Sequence, residues 1–239
     1  MGGIEGIKSK LNLLYGRCVI LGEESCICKD YNNEYKLYGL VGGTAKLIDT
    51  YDDFFIINER VNGFRKNRGE LYGICDNVGK LIKNPLYNLI GASKGDLVIV
   101  SDLSNGLGVL NTSTKEYIMP CKYDEIALYD RLDFIVTSQN YFDMVEISDL
   151  SGSRILSNYF SKIYITDKII VGAVCGIGND ITYVVYNLNL NRINDIEDRV
   201  TVGVYEDKLD VCIETSSNII KYSNLNIVEP IKKKVGLGL

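Results

Sequence analysis

"LYGICDNVGKLIKNPLYNLIGASKGDLVIVSDLSN" (residues 71–105) and "GLGVLNTSTKEYIMPCKYDEIALYDRLDFIVTSQN" (residues 106–140) match along their whole length when one is laid over the other. Pro85 meets Pro120 at an offset of 35 residues, and Tyr87 and Ile90 meet Tyr123 and Ile126 at 36 after one gap. Val98-Ile99-Val100 meets Phe134-Ile135-Val136 at the same spacing. Either stretch alone is an ordinary pair of apolar runs separated by turn residues. Together they define a unit.

The same frame extends outward. Residues 37–58 place Gly39 34 positions before Gly73. Residues 208–218 mirror 131–140, residues 184–193 mirror 108–117, and 142–156 with 168–174 fill a further copy. The full units are 37–69, 70–105, 106–140, 141–180 and 181–218. Each chain end carries half a unit. Residues 14–33 resemble the second half, with Tyr15 at the position of Tyr123, and 218–231 resemble the first, with Pro230 at the position of Pro120.

A period near 35 residues, filled with short apolar runs and turns, is the mark of radial or linear β repeats. Within one unit, four short strands are predicted near residues 107–111, 115–119, 124–129 and 132–138. Four-stranded units arranged radially are propeller blades. Two complementary half units are what ring closure requires, whereas a linear stack wants polar caps. The expected fold is therefore all-β: a single β-propeller of six blades over residues 1–239, closed by a composite blade from 12–36 and 219–235. The alternative is an open β-repeat solenoid.

Composition agrees with a folded β chain. With 46% hydrophobic and 24% charged residues and only 3 prolines in 239 residues, the chain can bury a substantial core. Seventeen Tyr and 6 Phe, with no Trp, lean towards pleated, half-buried surfaces. A net charge of -5 argues against general nucleic-acid coating. The seven cysteines are odd in number and follow no secretory leader, which points to a reducing, cytoplasmic setting. No apolar run approaches the roughly 18 residues of a membrane span, and the Asn, Ile, Lys and Tyr bias fits an AT-rich bacterial or phage genome.

Leu71-Tyr72-Gly73-Ile74-Cys75-Asp76 with Gly79-Lys80 and Pro85, and Leu107-Gly108-Val109 with Pro120 and Lys122-Tyr123-Asp124-Glu125-Ile126, make a recognisable pattern. It resembles the bacterial WG (KWG) repeat family, with Tyr38, Tyr72 and Leu107 standing where that family has tryptophan. The resemblance implies a propeller-like β fold used as an interaction module, without catalytic residues.

The absence of histidine removes Ser-His-Asp and Cys-His dyads and the commonest metal ligand. Cys26 and Cys28, spaced i, i+2, put both thiols on one face of a strand, but no second pair accompanies them; they read as small hydrophobes. Gly176-x-Gly178 lacks a third glycine and a following helix, and reads as a strand end entering a turn. No metal or cofactor is assigned.

The most distinctive departure from the repeat is "NERVNGFRKNRGE", residues 58–70. From Ile57 to Gly73 is 16 positions, whereas Val100 to Gly108 is 8, which predicts an inserted flexible loop over 59–69. Arg60, Phe64, Arg65, Lys66 and Arg68 fall in it and are the candidate partner-binding residues, suited to phosphates or carboxylates. The competing reading is a solvated surface loop, and Lys232-Lys233-Lys234 has the same reading in the tail. Tyr15, Tyr87 and Tyr123 share one repeat position, with Tyr51 and Tyr159 near it, which marks them for packing or hydrogen bonding at turns.

The functional expectation is a non-enzymatic interaction module for a protein partner; a phage protein that blocks a host complex would fit. One alternative is a small-ligand binder or enzyme at a channel mouth, with Asp76, Asp124 and Asp149 as its acid-base material. Another is a nucleic-acid binder acting through 59–69. Oligomeric state stays open.

Overall fold

The computed structural model describes residues 4–15, 17–104, 106–139, 144–158, 160–175 and 180–230. Within them the chain is all-β apart from one helix, α1 (Ile4–Tyr15). Six antiparallel sheets follow in sequence order. Sheet 1 is β1 (Arg17–Leu21), β2 (Ser25–Lys29), β3 (Tyr35–Val41) and β4 (Thr44–Tyr51). Sheet 2 is β5 (Asp53–Ile56), β6 (Val61–Arg65), β7 (Tyr72–Asp76) and β8 (Leu81–Tyr87). Sheet 3 is β9 (Leu89–Lys94), β10 (Leu97–Ser101), β11 (Leu107–Asn111) and β12 (Glu116–Tyr123). Sheet 4 is β13 (Glu125–Leu128), β14 (Phe134–Gln139), β15 (Met144–Asp149) and β16 (Arg154–Asn158). Sheet 5 is β17 (Phe160–Ile165), β18 (Ile169–Cys175) and β19 (Ile181–Asn187); sheet 6 is β20 (Arg199–Tyr205), β21 (Lys208–Glu214) and β22 (Ile219–Asn226).

The chain divides into two compact units at the end of β12, the second being Tyr123–Ile231. In the first, Ile27, Leu37 and Tyr51 of sheet 1 pack on Phe54, Phe64 and Cys75 of sheet 2. Val61 and Ile74 of sheet 2 then pack with Val98, Val100 and Leu110 of sheet 3. In the second unit, Phe134, Val136 and Ile147 of sheet 4 meet Phe160, Ile170 and Tyr186 of sheet 5, while Val171 and Val185 of sheet 5 meet Leu209, Val211 and Ile213 of sheet 6. The second strands of sheets 1 to 5 are buried on both faces, which is why β10 reads as the continuous run Leu97-Val98-Ile99-Val100 instead of alternating, as β21 of sheet 6 does.

The sheets are out of phase with the sequence units by half a period. Unit 106–140 supplies β11 and β12 to sheet 3 but β13 and β14 to sheet 4. This corrects the expected composite blade. The half unit at the N-terminus supplies β1 and β2, which pair with β3 and β4 of the next copy; β22 pairs with β21 of the preceding copy. Among the described residues, each terminal half pairs with strands of the adjoining copy.

Residues 12–15, placed at the start of that composite blade, are helical instead. Ile7, Leu11 and Tyr15 are spaced i, i+4, i+8, so they share one helix face, and that face lies on Cys18, Cys26, Cys28 and Tyr38 of sheet 1. Sheets 5 and 6 have three strands. Beyond β19, the buried Asn194 accepts from Val185 N at 2.8 Å and donates to Tyr183 O at 3.4 Å, so a side-chain amide makes contacts that a fourth strand makes elsewhere.

Candidate functional site

The expected basic loop is a strand. Residues 61–65 are β6, the second strand of sheet 2, paired with β5 and β7. The apolar run Phe54–Ile56 belongs to the first strand, so the 16 positions from Ile57 to Gly73 hold a strand of the sheet and not an inserted loop. Counting 36 residues back from Val98 lands on Asn62, and from Tyr87 on Tyr51; this spacing is the signal that identifies β6.

The five candidate residues consequently do not form one cluster. Phe64 is 4% exposed and packs its ring 5.2 Å from that of Tyr51. The Arg65 guanidinium donates from Nε and Nη2 to one oxygen of Asp52, at 3.1 and 2.9 Å, and lies 5.1 Å from the Tyr72 ring. Lys66 pairs with Asp49 and sits 4.4 Å over the Tyr51 ring. Only Arg60 and Arg68 are exposed, Arg60 reaching Asp96 at 3.7 Å. They flank the two ends of β6, which at about 3.3 Å per residue keeps them well over 10 Å apart.

The candidate carboxylates also have structural duties. Asp76 Oδ1 accepts from Val78 N and Lys80 N at 3.0 and 2.8 Å, closing the β7–β8 hairpin. Asp149 Oδ1 does the same for Ser151 N and Ser153 N, both at 2.9 Å. Asn111 and Asn187 occupy the equivalent places before β12 and after β19. These are Asx turns repeated from sheet to sheet. Asp124 lies in the bend joining β12 to β13, where its N–H donates to Ser138 O.

Of the recurring tyrosines, Tyr51, Tyr87 and Tyr123 are buried ends of fourth strands, whereas Tyr15 ends helix α1. Tyr51 and Tyr87 are 2% and 0% exposed, and burial pushes both phenols above their ordinary range. Tyr117 donates to the Tyr87 hydroxyl at 3.1 Å, and Tyr123 donates to Glu146 at 3.4 Å. Tyr159, Gly176, Gly178 and the Lys232–Lys234 run lie outside the described residues.

The second unit holds two cavities that no sequence motif announced. One, of about 770 Å³, is lined by Arg192, Arg199, Asp195, Glu197, Asp198 and Glu214, with the hydroxyls of Thr215 and Ser216. The other, of about 240 Å³, lies on sheet 6 against Thr201, Asp210, Cys212 and Lys221. Four carboxylates against two arginines, with two hydroxyls, suit a polar, zwitterionic or cationic ligand in the larger one.

The first unit holds a sulfur-rich face. Cys18 and Cys28, opposed across β1 and β2, form a disulfide with Cα atoms 4.1 Å apart. This corrects the reading of Cys28 as a packed small hydrophobe and of all the cysteines as reduced. Cys26 on the same face is a buried free thiol, pushed up to about 11 by burial. Beside it, the Tyr38 hydroxyl donates to that of Tyr15 at 2.8 Å.

No family model matches the chain, and no curated protein matches it. Among solved structures, Hsv2 of Kluyveromyces lactis is similar at 11% identity and a TM-score of 0.38, covering 85% of this chain and 71% of that one. The WD40 β-propeller domain of Doa1 is similar at 7% identity and a TM-score of 0.31, covering 85% and 80%. No helix is long and apolar enough to cross a membrane among the described residues.

Proposed function

We propose that this chain is a non-enzymatic interaction module, its sheets serving as WG-like propeller blades that present a surface to a protein partner. The observation that carries this reading is the distribution of exposed apolar side chains. Leu47 and Ile48 on β4, Leu81 and Leu86 on β8, and Tyr117 on β12 are 41–49% exposed, although edge strands are where soluble proteins ordinarily place charge. Large apolar side chains left exposed on edge strands are the groups available for contact with another protein. By contrast, the groups suited to acid-base work, Asp76 and Asp149, are used in turns. Arg60 and Arg68 are the two members of the basic segment left to add charge contacts at the rim.

The test is a photo-crosslinker placed at Leu47 or Leu81 in cells of the native host. One recurrent protein adduct, abolished by Ile48→Glu with the circular dichroism spectrum unchanged, is the expected result. Full retention of that adduct in Ile48→Glu/Leu86→Glu would overturn the assignment of this surface.

The cavity of about 770 Å³ favours a second reading, a small polar ligand held by Arg192 and Arg199. A ligand at 100 times its dissociation constant adds about 2.7 kcal/mol of stability. Thermal shifts with nucleotides and oligosaccharides, lost in Arg192→Gln, would select this reading. The nucleic-acid reading through residues 59–69 requires a steep loss of affinity with salt, abolished by Arg60→Gln/Arg68→Gln.

A further inference from the structure

Three sulfur atoms share one face of sheet 1. Cys18 is directly opposite Cys28, and Cys26 lies two residues from Cys28 along β2, on the same side. Across the sheet, Cys26 is opposite Tyr38 and Cys28 is opposite Lys36. The three cysteines are 6%, 0% and 0% exposed, beneath Ile7 and Leu11 of α1.

Packing alone does not call for sulfur here. One period on from Cys18, Cys26 and Cys28 stand Phe54, Asn62 and Phe64, and two periods on stand Ile90, Val98 and Val100. Ile90 and Val100 pair in sheet 3 as Cys18 and Cys28 pair in sheet 1. Aromatic, amide and aliphatic side chains fill the equivalent buried sites, and none of them is sulfur.

While the disulfide is closed, no group of three His, Cys, Asp or Glu side chains among the described residues is placed to hold a metal ion. Opening it changes the donor set from one thiol to three. Cα atoms two apart on a strand are about 6.6 Å from each other, and metal–sulfur bonds are about 2.3 Å. Side chains leaning together from Cys26 and Cys28, with Cys18 opposite, can therefore meet one ion.

We propose that reduction of Cys18–Cys28 turns this face into a three-thiolate site for a thiophilic cation, Zn²⁺ or Cu⁺. A dithiol reductant supplies two electrons and two protons and becomes a disulfide; the Cys18–Cys28 bond breaks to give two thiols. The cation then forms three metal–sulfur bonds, and three thiol protons leave to solvent. Soft sulfur donors select these ions over Mg²⁺ or Ca²⁺, and the apolar residues of α1 exclude water from the site. Metal and disulfide are mutually exclusive, so the face reports the redox state of its surroundings.

The experiment uses the full-length protein reduced with excess dithiol, desalted without air and titrated with Co²⁺ and Zn²⁺. The expected result is one ion per chain with thiolate-to-cobalt charge-transfer absorption, and none in the oxidised protein. Cys26→Ser, which leaves the disulfide pair intact, is expected to weaken binding by tenfold or more, while Cys175→Ser leaves it unchanged. Absence of binding after reduction, equal binding by oxidised protein, or wild-type affinity in Cys26→Ser each overturns the proposal. If Cys26→Ser fails to fold, alkylation of the reduced wild type decides: Zn²⁺ must slow modification of Cys18 and Cys28 reversibly with chelator, and an unchanged rate overturns the proposal.

Discussion

Asp76 shows how a residue that looks catalytic in sequence becomes a hinge of a hairpin. Its carboxylate accepts two backbone N–H groups that would otherwise face into the β7–β8 turn unpaired. Asp76→Ala is expected to cost about 1 kcal/mol, lowering Tm by about 2–4 °C in a chain of this size, while Asp76→Asn keeps the acceptor and most of the stability. Differential scanning calorimetry on the two variants distinguishes them. Other carboxylates are tuned as well as placed. The Lys36 ammonium holds Asp30 below the usual carboxylate range, and the Ser104 and Ser151 hydroxyls do the same for Asp102 and Asp149. A lowered folded-state value contributes stability that is present above the unfolded value near 3.9 and lost as pH falls through the folded one. The urea midpoint should thus be flat from neutral pH to about 5 and fall below about 4; a flat midpoint down to pH 2.5 would contradict it.

At the scale of the element, glycine decides whether strands can lie together. A Cβ on Gly73 would come within 2.6 Å of Cζ of the buried Phe64 ring. A Cβ on Gly108 would come within 2.8 Å of Cys121 Sγ and Met119 O. These are the motif glycines of the repeat, and the neighbouring strand crosses each of them closely. Gly73→Ala should destabilise by about 1–3 kcal/mol through overpacking. Gly6→Ala, on the exposed side of α1 with nothing within 4 Å, should instead stabilise by about 0.5–1 kcal/mol; thermal unfolding of both variants tests the contrast.

The strands of sheets 3 and 4 were legible because their second strands are doubly buried apolar runs. Strand β6 was not, since Asn62, Gly63 and Arg65 give it poor strand character beside the stronger run at Phe54. The candidate site went astray with it. A basic cluster in sequence became, in space, one aromatic in the core, two cations neutralised by Asp49 and Asp52, and two exposed arginines. Cys18 lay ten positions from Cys28, and without the β1–β2 register nothing marked the two as opposed.

Over the whole molecule, burial of phenols and thiols sets the alkaline limit. Burial pushes Tyr51, Tyr87 and Tyr38 upward, and takes Tyr129 and Cys75 to about 12. Because these folded-state values exceed the unfolded ones, their contribution is complete below about pH 8.5 for the thiol and about pH 10 for the phenols, and is lost above. An absorbance titration should show the 17 tyrosines ionising in two stages, the later one coincident with loss of the β-sheet circular dichroism signal. A single stage that leaves the far-ultraviolet spectrum intact would contradict this.

The half-period stagger between sequence units and sheets bears on how such a chain grows and shrinks. Each of the first four copies is laid like a brick across a joint, donating two strands to the sheet before it and two to the sheet after, while the fifth gives β19 to the sheet before and β20 and β21 to the sheet after. Excising one copy from the middle leaves an orphaned pair on either side of the cut, and those two pairs are homologous to the halves of a normal sheet. They can therefore knit into a hybrid. Copy number can change during evolution by whole repeats without leaving an unpaired strand at the seam, wherever in the chain the recombination falls.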